Sequence, residues 1–178
     1  MPVLTAVVCL LGILCLLNLL LILGVLRRLR EHGELLRNGA FIGDPGIGLE
    51  AGDRPSPFSA ETTSGTQVSD TSELLVVAFF STTCPICTER VEPFARYIRS
   101  HEIAPERALA VIVQDSTAEA PFRPALEDVA TVCVEPTGGQ LSTAFRVAGF
   151  PAFWLLGADG TVAVATFDPA MLPSPDRI

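Results

Sequence analysis

Hydropathy divides the chain into unequal stretches. Residues 3–26, VLTAVVCLLGILCLLNLLLILGVL, hold no charged side chain over 24 positions. This predicts a membrane-spanning helix, for which about 20 apolar residues suffice. Thr5, Asn18 and two glycines interrupt the run only mildly. A cleavable signal peptide is the rival reading and fits less well. Only Met1 and Pro2 precede the run, so a basic leader is missing, and no A-x-A pattern follows closely. A buried core helix of this length would ordinarily carry a polar position. Residues 27–37, RRLREHGELLR, can continue the helix along an interface, although Gly33 weakens it. Residues 38–70 are rich in Gly, Pro, Ser, Thr and Asp and read as a linker or irregular lead-in with at most short strands.

From residue 71 the pattern becomes that of a folded domain. Residues 74–80, LLVVAFF, form a continuous apolar run suited to a central strand covered on both faces. A helix is predicted over 84–100, with Cys87, Val91, Phe94 and Ile98 on one apolar face. Pro85 stands where an early-turn proline is tolerated, whereas Pro93 is interior and is expected to kink the helix. Further strands are predicted at 108–113 (ALAVIV) and 129–134 (VATVCV), the first parallel to 74–80 if 84–100 is the crossover. Residues 117–128 make a weak helix because Pro121 and Pro124 intrude, and 140–147 a short one. Strands at 152–156 and 161–166 flank the turn GADG, a strong hairpin signal. The order β-α-β-(α)-β-α-β-β gives a three-layer α/β domain over 71–168, with a proline-containing tail at 169–178.

Composition sharpens this division. Of 178 residues 49% are apolar and 18% charged, with a mean hydropathy of +0.45, which excludes a chain disordered throughout. Lysine is absent and the 12 basic residues are arginines. Arg27, Arg28, Arg30 and Arg37 make a basic collar, and the rest of the chain is strongly acidic within a net charge of −8. An acidic body lacks the clustered cations that phosphate binding needs, so nucleic acid is not an expected partner. A collar that follows the span places the remainder on the cytoplasmic side by the positive-inside tendency.

The five cysteines are Cys9, Cys15, Cys84, Cys87 and Cys133, and only Cys84 and Cys87 form a close pair. Cys84-Pro85-Ile86-Cys87 directly follows a buried strand and opens a helix. Free N–H groups at a helix N-terminus stabilise a thiolate, the nucleophile of disulfide exchange. A second cysteine one turn onward can attack the resulting mixed disulfide. Cys84, at the exposed end, is therefore the expected attacking thiol and Cys87 the buried resolving thiol. Two incidental buried cysteines, or half of a metal site, are the alternatives. His32 and His101 are the only histidines and neither completes a ligand set, so no metal is expected. Gly149-Phe150-Pro151-Ala152 opens the strand AFWLL. A proline there gives up a ladder hydrogen bond, which a cis Phe150–Pro151 bond beside the cysteines would explain, leaving the Phe150 backbone free for an extended substrate. A plain turn proline is the alternative. Cys133, in an apolar strand, reads as a small buried hydrophobe, with a redox relay as the other reading.

LLVVAFFSTTCPICTERVEPF, GFPAF and FWLLGADGTV, with VLRRLREHGELLRNGAFIG ahead of them, resemble the membrane-anchored thioredoxin-fold proteins of the TlpA type. Among those, the chain is most similar to the MauD group linked to methylamine dehydrogenase maturation. The resemblance covers nearly the whole chain and is specific around 74–87 and 149–162. It implies a thioredoxin-like fold, with a central mixed sheet flanked by helices behind one N-terminal transmembrane helix. It also implies a thiol-disulfide oxidoreductase without a cofactor, with Cys84 as nucleophile, Cys87 as resolver, Pro85 and Ile86 in the first helical turn, and Phe150 with cis Pro151 supporting the substrate. The implied partners are a cysteine-containing protein substrate, a membrane-bound electron donor or acceptor protein, and the lipid bilayer. A single-pass membrane protein with an extracytoplasmic redox domain follows, against the arginine collar. Three departures stand out: Thr83 precedes the first cysteine where many thioredoxins carry Trp, Ala78 stands where they often keep a buried acid, and no final helix follows the hairpin. The alternatives to the enzyme are a thioredoxin-fold adaptor or chaperone for maturation of a partner, and a peroxidase, which lacks its arginine and threonine constellation.

Overall fold

The computed structural model describes Gly12, residues 46–115 and residues 119–177. A short antiparallel pair, β1 (Ser59–Glu61) and β2 (Gln67–Ser69), precedes the main sheet. That sheet has five strands: β3 (Val76–Ser81), β4 (Ala108–Val113), β5 (Thr131–Glu135), β6 (Ala152–Leu156) and β7 (Val162–Thr166). Their spatial order is β5-β4-β3-β6-β7. β4 pairs parallel to both β3 and β5, while β3–β6 and β6–β7 are antiparallel, so the sheet is mixed. The helices are α1 (Pro85–Ser100), α2 (Arg123–Glu127) and α3 (Gln140–Ala144). The expected central mixed sheet flanked by helices is therefore present.

Every residue of β3, β4 and β6 is buried, as continuous apolar runs require of strands covered on both sides. Alternation along each strand divides the core in two. Ala78, Phe80, Ala110, Ile112 and Phe153 face α1 and α2, against Cys87, Phe94, Ile98 and Leu126. Val77, Phe79, Val111, Cys133 and Trp154 face the other way, against Leu141 and Phe145. On that second side the lead-in contributes Ile47, Leu49, Phe58 and Val68 to the core. Its backbone also pairs with the edge of β5, through Thr63 N–H to the Val132 carbonyl at 2.8 Å. After β7 the described residues hold two 3-10 turns, Pro169–Met171 and Pro175–Arg177, and no α-helix.

The expected transmembrane helix, and with it single-pass membrane localisation, is corrected here. No helix among the described residues is long and apolar enough to cross a membrane. The longest, α1, has 16 residues. At 1.5 Å per residue it spans about 24 Å, short of a hydrocarbon layer of about 30 Å. It also carries Glu89, Arg90, Glu92, Arg96 and Arg99. Residues 3–26, on which the expectation fell, lie outside the described residues apart from Gly12, as do the collar, Cys9, Cys15 and His32. The extracytoplasmic placement, which depended on that anchor, goes with it.

Candidate functional site

The C-terminal end of β3 feeds directly into α1, and the cysteine pair sits at this junction. The Cys84 N–H donates to the Ser81 carbonyl at 3.2 Å, closing a tight turn. Cys84 is then the N-cap of α1 in extended conformation (φ −99°, ψ 109°), with Pro85 in the first turn. A proline suits that position because the first N–H groups of a helix have no partner within it. No acidic side chain stands in the first turn, so nothing opposes the positive end of the helix dipole at Cys84. The helix continues through Pro93 to Ser100.

The two thiols have different surroundings. Cys84 is partly buried, and its Sγ–H donates to the Phe150 carbonyl at 3.4 Å. Cys87 is wholly buried, and its Sγ accepts the Ser81 N–H at 3.3 Å. Burial pushes the Cys87 thiol up from 9.0 to about 12. The hydrogen bond and charge of Cys84 push the same way, and the Ser81 N–H pulls back. Both cysteines are free thiols.

Phe150 and Pro151 arrive from the opposite side, at the start of β6, and the bond between them is cis. Pro151 is buried and Phe150 packs between the two halves of the core. Ile86, between the cysteines, is 54% exposed. The structure thus brings Cys84, Cys87 and Phe150 together, with Pro85, Ile86 and Pro151 as their chain neighbours.

It does not bring Cys133 to them. That thiol lies on the other side of the sheet, where burial and the neighbouring Glu135 charge raise it to about 11. His101 caps the far end of α1, its ring 4.4 Å from that of Tyr97. Ala78 is fully buried between Ala110 and Phe153, so this position offers no titratable group. Among the described residues no cluster of three or more His, Cys, Asp or Glu is placed to hold a metal.

Sequence reasoning did not single out Ser81 or Arg90. Ser81 is a polar residue closing an apolar strand, which was the available signal. Its hydroxyl bonds Thr83 Oγ1 at 3.0 Å and accepts the Thr83 N–H at 3.3 Å, fixing the turn ahead of Cys84. Arg90, one turn after Cys87, pairs with Asp168 at 3.1 Å and ties α1 to the segment after β7.

No protein-family model and no curated protein matches the chain. Solved structures do. One is described as a thiol:disulfide interchange protein, DsbE, from Chlorobium tepidum, at 23% identity and a TM-score of 0.50, covering 68% of this chain and 89% of that one. Another is the thioredoxin domain of a thiol-disulfide oxidoreductase from Bacteroides vulgatus, at 14% identity and TM-score 0.51, covering 67% and 90%. A thiol-disulfide oxidoreductase from Bacteroides fragilis matches at 11% identity and TM-score 0.50, covering 64% and 89%. At such identities the likeness establishes architecture: the chain has the thioredoxin fold that these oxidoreductases share.

Proposed function

We propose that this chain is a thiol-disulfide oxidoreductase acting on the cysteines or disulfides of other proteins, with Cys84 as attacking thiol and Cys87 as resolving thiol. The observation that carries the reading is the asymmetry of the pair. Cys84 Sγ stands at the opening of α1, 3.4 Å from the Phe150 carbonyl, while Cys87 is wholly buried one turn behind it.

In the reducing direction the Cys84 thiolate attacks one sulfur of a substrate disulfide. A Cys84–substrate S–S bond forms, the substrate S–S bond breaks, and the departing sulfur takes the electron pair and then a proton. Cys87 next gives up its proton and attacks Cys84 Sγ. The mixed disulfide breaks, the second substrate sulfur leaves as a thiolate and is protonated, and Cys84–Cys87 closes as a disulfide. Two electrons and two protons have moved to the substrate. Run backwards, the oxidised pair accepts them from a substrate dithiol. Once Cys84 has no S–H to donate, the Phe150 carbonyl is free to accept an N–H from an extended substrate backbone.

Burial disfavours the Cys87 thiolate, so the resolving step needs a base for the thiol proton. With alanine at position 78, water or the departing thiolate must take that proton. A Cys87→Ala variant has no thiol at 87 to resolve the mixed disulfide, so with a disulfide-containing protein such as insulin it should accumulate an adduct on a non-reducing gel. Dithiothreitol should release it, and a further Cys84→Ser change should abolish it. No adduct, or one that survives loss of Cys84, would overturn the assignment.

A further inference from the structure

The loop that presents the Phe150 carbonyl is held from outside by the lead-in. The Leu49 N–H donates to the Phe145 carbonyl at 3.1 Å, and the Ala148 N–H donates back to the Ile47 carbonyl at 3.2 Å. Residues 47–49 thus run along residues 145–148, which lead directly into Gly149-Phe150-Pro151. A third bond anchors the other side of the same segment: the buried Trp154 Nε1–H donates to the Leu49 carbonyl at 3.0 Å. Trp154 belongs to β6, the strand that Phe150 and Pro151 open.

Two backbone features show how closely the segments are fitted. Arg146 has φ +52°, a left-handed conformation that a side-chain-bearing residue keeps only where its surroundings impose it. Facing it, Gly48 has φ +138°, and a Cβ there would lie 2.5 Å from the Phe145 carbonyl oxygen and 2.8 Å from that of Arg146. Any other residue at 48 must push the loop away or lift the lead-in off it.

We infer that residues 47–49 are a positioning strap for protein substrates. Gly48 and the Trp154–Leu49 hydrogen bond set where the Phe150 carbonyl stands relative to Cys84 Sγ. The inference rests on the reading of Cys84 and Cys87 as the redox pair, and it adds a specificity that the pair alone lacks. A small disulfide needs only the Cys84 sulfur. An extended polypeptide also needs the Phe150 carbonyl within hydrogen-bond reach. Loosening the strap therefore penalises protein disulfides selectively.

The test compares two disulfides, insulin and 2-hydroxyethyl disulfide, with dithiothreitol as reductant, in the full-length chain and its variants. Displacing a positioned group by about an ångström costs up to about 100-fold in rate. Gly48→Ala should accordingly lower kcat/KM for insulin about tenfold, chiefly through KM, while hydroxyethyl disulfide stays within about twofold. Trp154→Phe keeps an aromatic ring in the core while removing the N–H donor to Leu49 along with part of the buried ring volume, and should shift the same ratio in the same direction. If Gly48→Ala fails to fold by circular dichroism, Trp154→Phe decides. A merely structural role lowers Tm and both activities in step, or leaves both unchanged, and either pattern in the folded variants overturns the strap. If the wild-type chain turns over neither disulfide, the redox reading itself falls and the strap falls with it.

Discussion

Replacing Cys87 by alanine in the reduced protein should flatten its loss of stability above pH 9. In the folded chain this thiol holds its proton up to about 12, whereas its ordinary value is 9.0. The folded state therefore binds more protons than the unfolded state between those values. Stability is fully present below about 9 and is lost as pH rises towards 12, where the folded thiol also ionises. The thiol's share of that loss is on the order of 1 kcal/mol at pH 10 and on the order of 3 kcal/mol at pH 11. Truncation also lowers stability by an amount that does not depend on pH, on the order of 1 kcal/mol for one buried heavy atom. Tyr97 and Cys133 are raised by burial as well, to about 12 and about 11, but they are common to both proteins and cancel in the difference. Urea unfolding in dithiothreitol at pH 7, 9, 10 and 11 (round buffer values that bracket the window) measures this difference directly. The wild-type curve should converge on the variant's as pH rises and then fall below it. Parallel curves across the window would refute the account of Cys87 as a thiol whose ionisation is blocked by burial.

Two further outcomes follow from polar contacts outside the cysteine pair. The Glu135 carboxylate, buried between β5 and α3, accepts the Leu141 N–H at 2.8 Å, the Ser142 N–H at 2.7 Å and the Ser142 hydroxyl at 2.6 Å. Ser142→Ala removes one bond to a charged group and should lower unfolding free energy by about 1.5–3 kcal/mol, read from urea midpoints; a loss within error would mean the two backbone donors suffice. Arg90→Ala breaks a half-exposed ion pair with Asp168. It should cost less than about 1 kcal/mol, and the difference should shrink in about 1 M salt; a large salt-independent loss would show that Arg90 acts through packing instead.

The parts of the fold legible in the sequence are those in which local pattern and burial agree. The expected strands at 108–113 and 152–156 coincide with β4 and β6 because strands buried on both faces need unbroken apolar runs. The helix that carries the CxxC begins one residue later than expected, with Cys84 as its cap. By contrast, of the weak helix expected over 117–128 the described residues form only Arg123–Glu127, where Pro124 stands in the first turn. β1 and β2 are only three residues each and are drawn from a polar stretch. Nothing periodic announces them, because tertiary pairing holds them. Residues 46–58 were likewise legible only as a lead-in. Their docking rests in part on the main-chain atoms of Ile47 and Leu49, and backbone donors and acceptors have no sequence signature. The same reason hides the Ser81 N–H that reaches Cys87. At the site, the spacing of Cys84 and Cys87 and the Phe150-Pro151 pair could be read in advance. The hydrogen bond from Cys84 to a carbonyl 66 positions away could not.

Cys133 lies on the face of the sheet opposite the cysteine pair, with the buried side chains of β3 and β4 between. A disulfide requires its two Cα atoms within about 7 Å and their Cβ atoms directed at each other. The sheet is therefore a bulkhead between two thiol compartments. Among the three described cysteines, the native fold therefore allows only one crosslink within the chain, Cys84 to Cys87. A link from Cys133 to Cys84 or Cys87 is topologically reserved for a chain whose sheet has come apart, so such a species records unfolding rather than turnover.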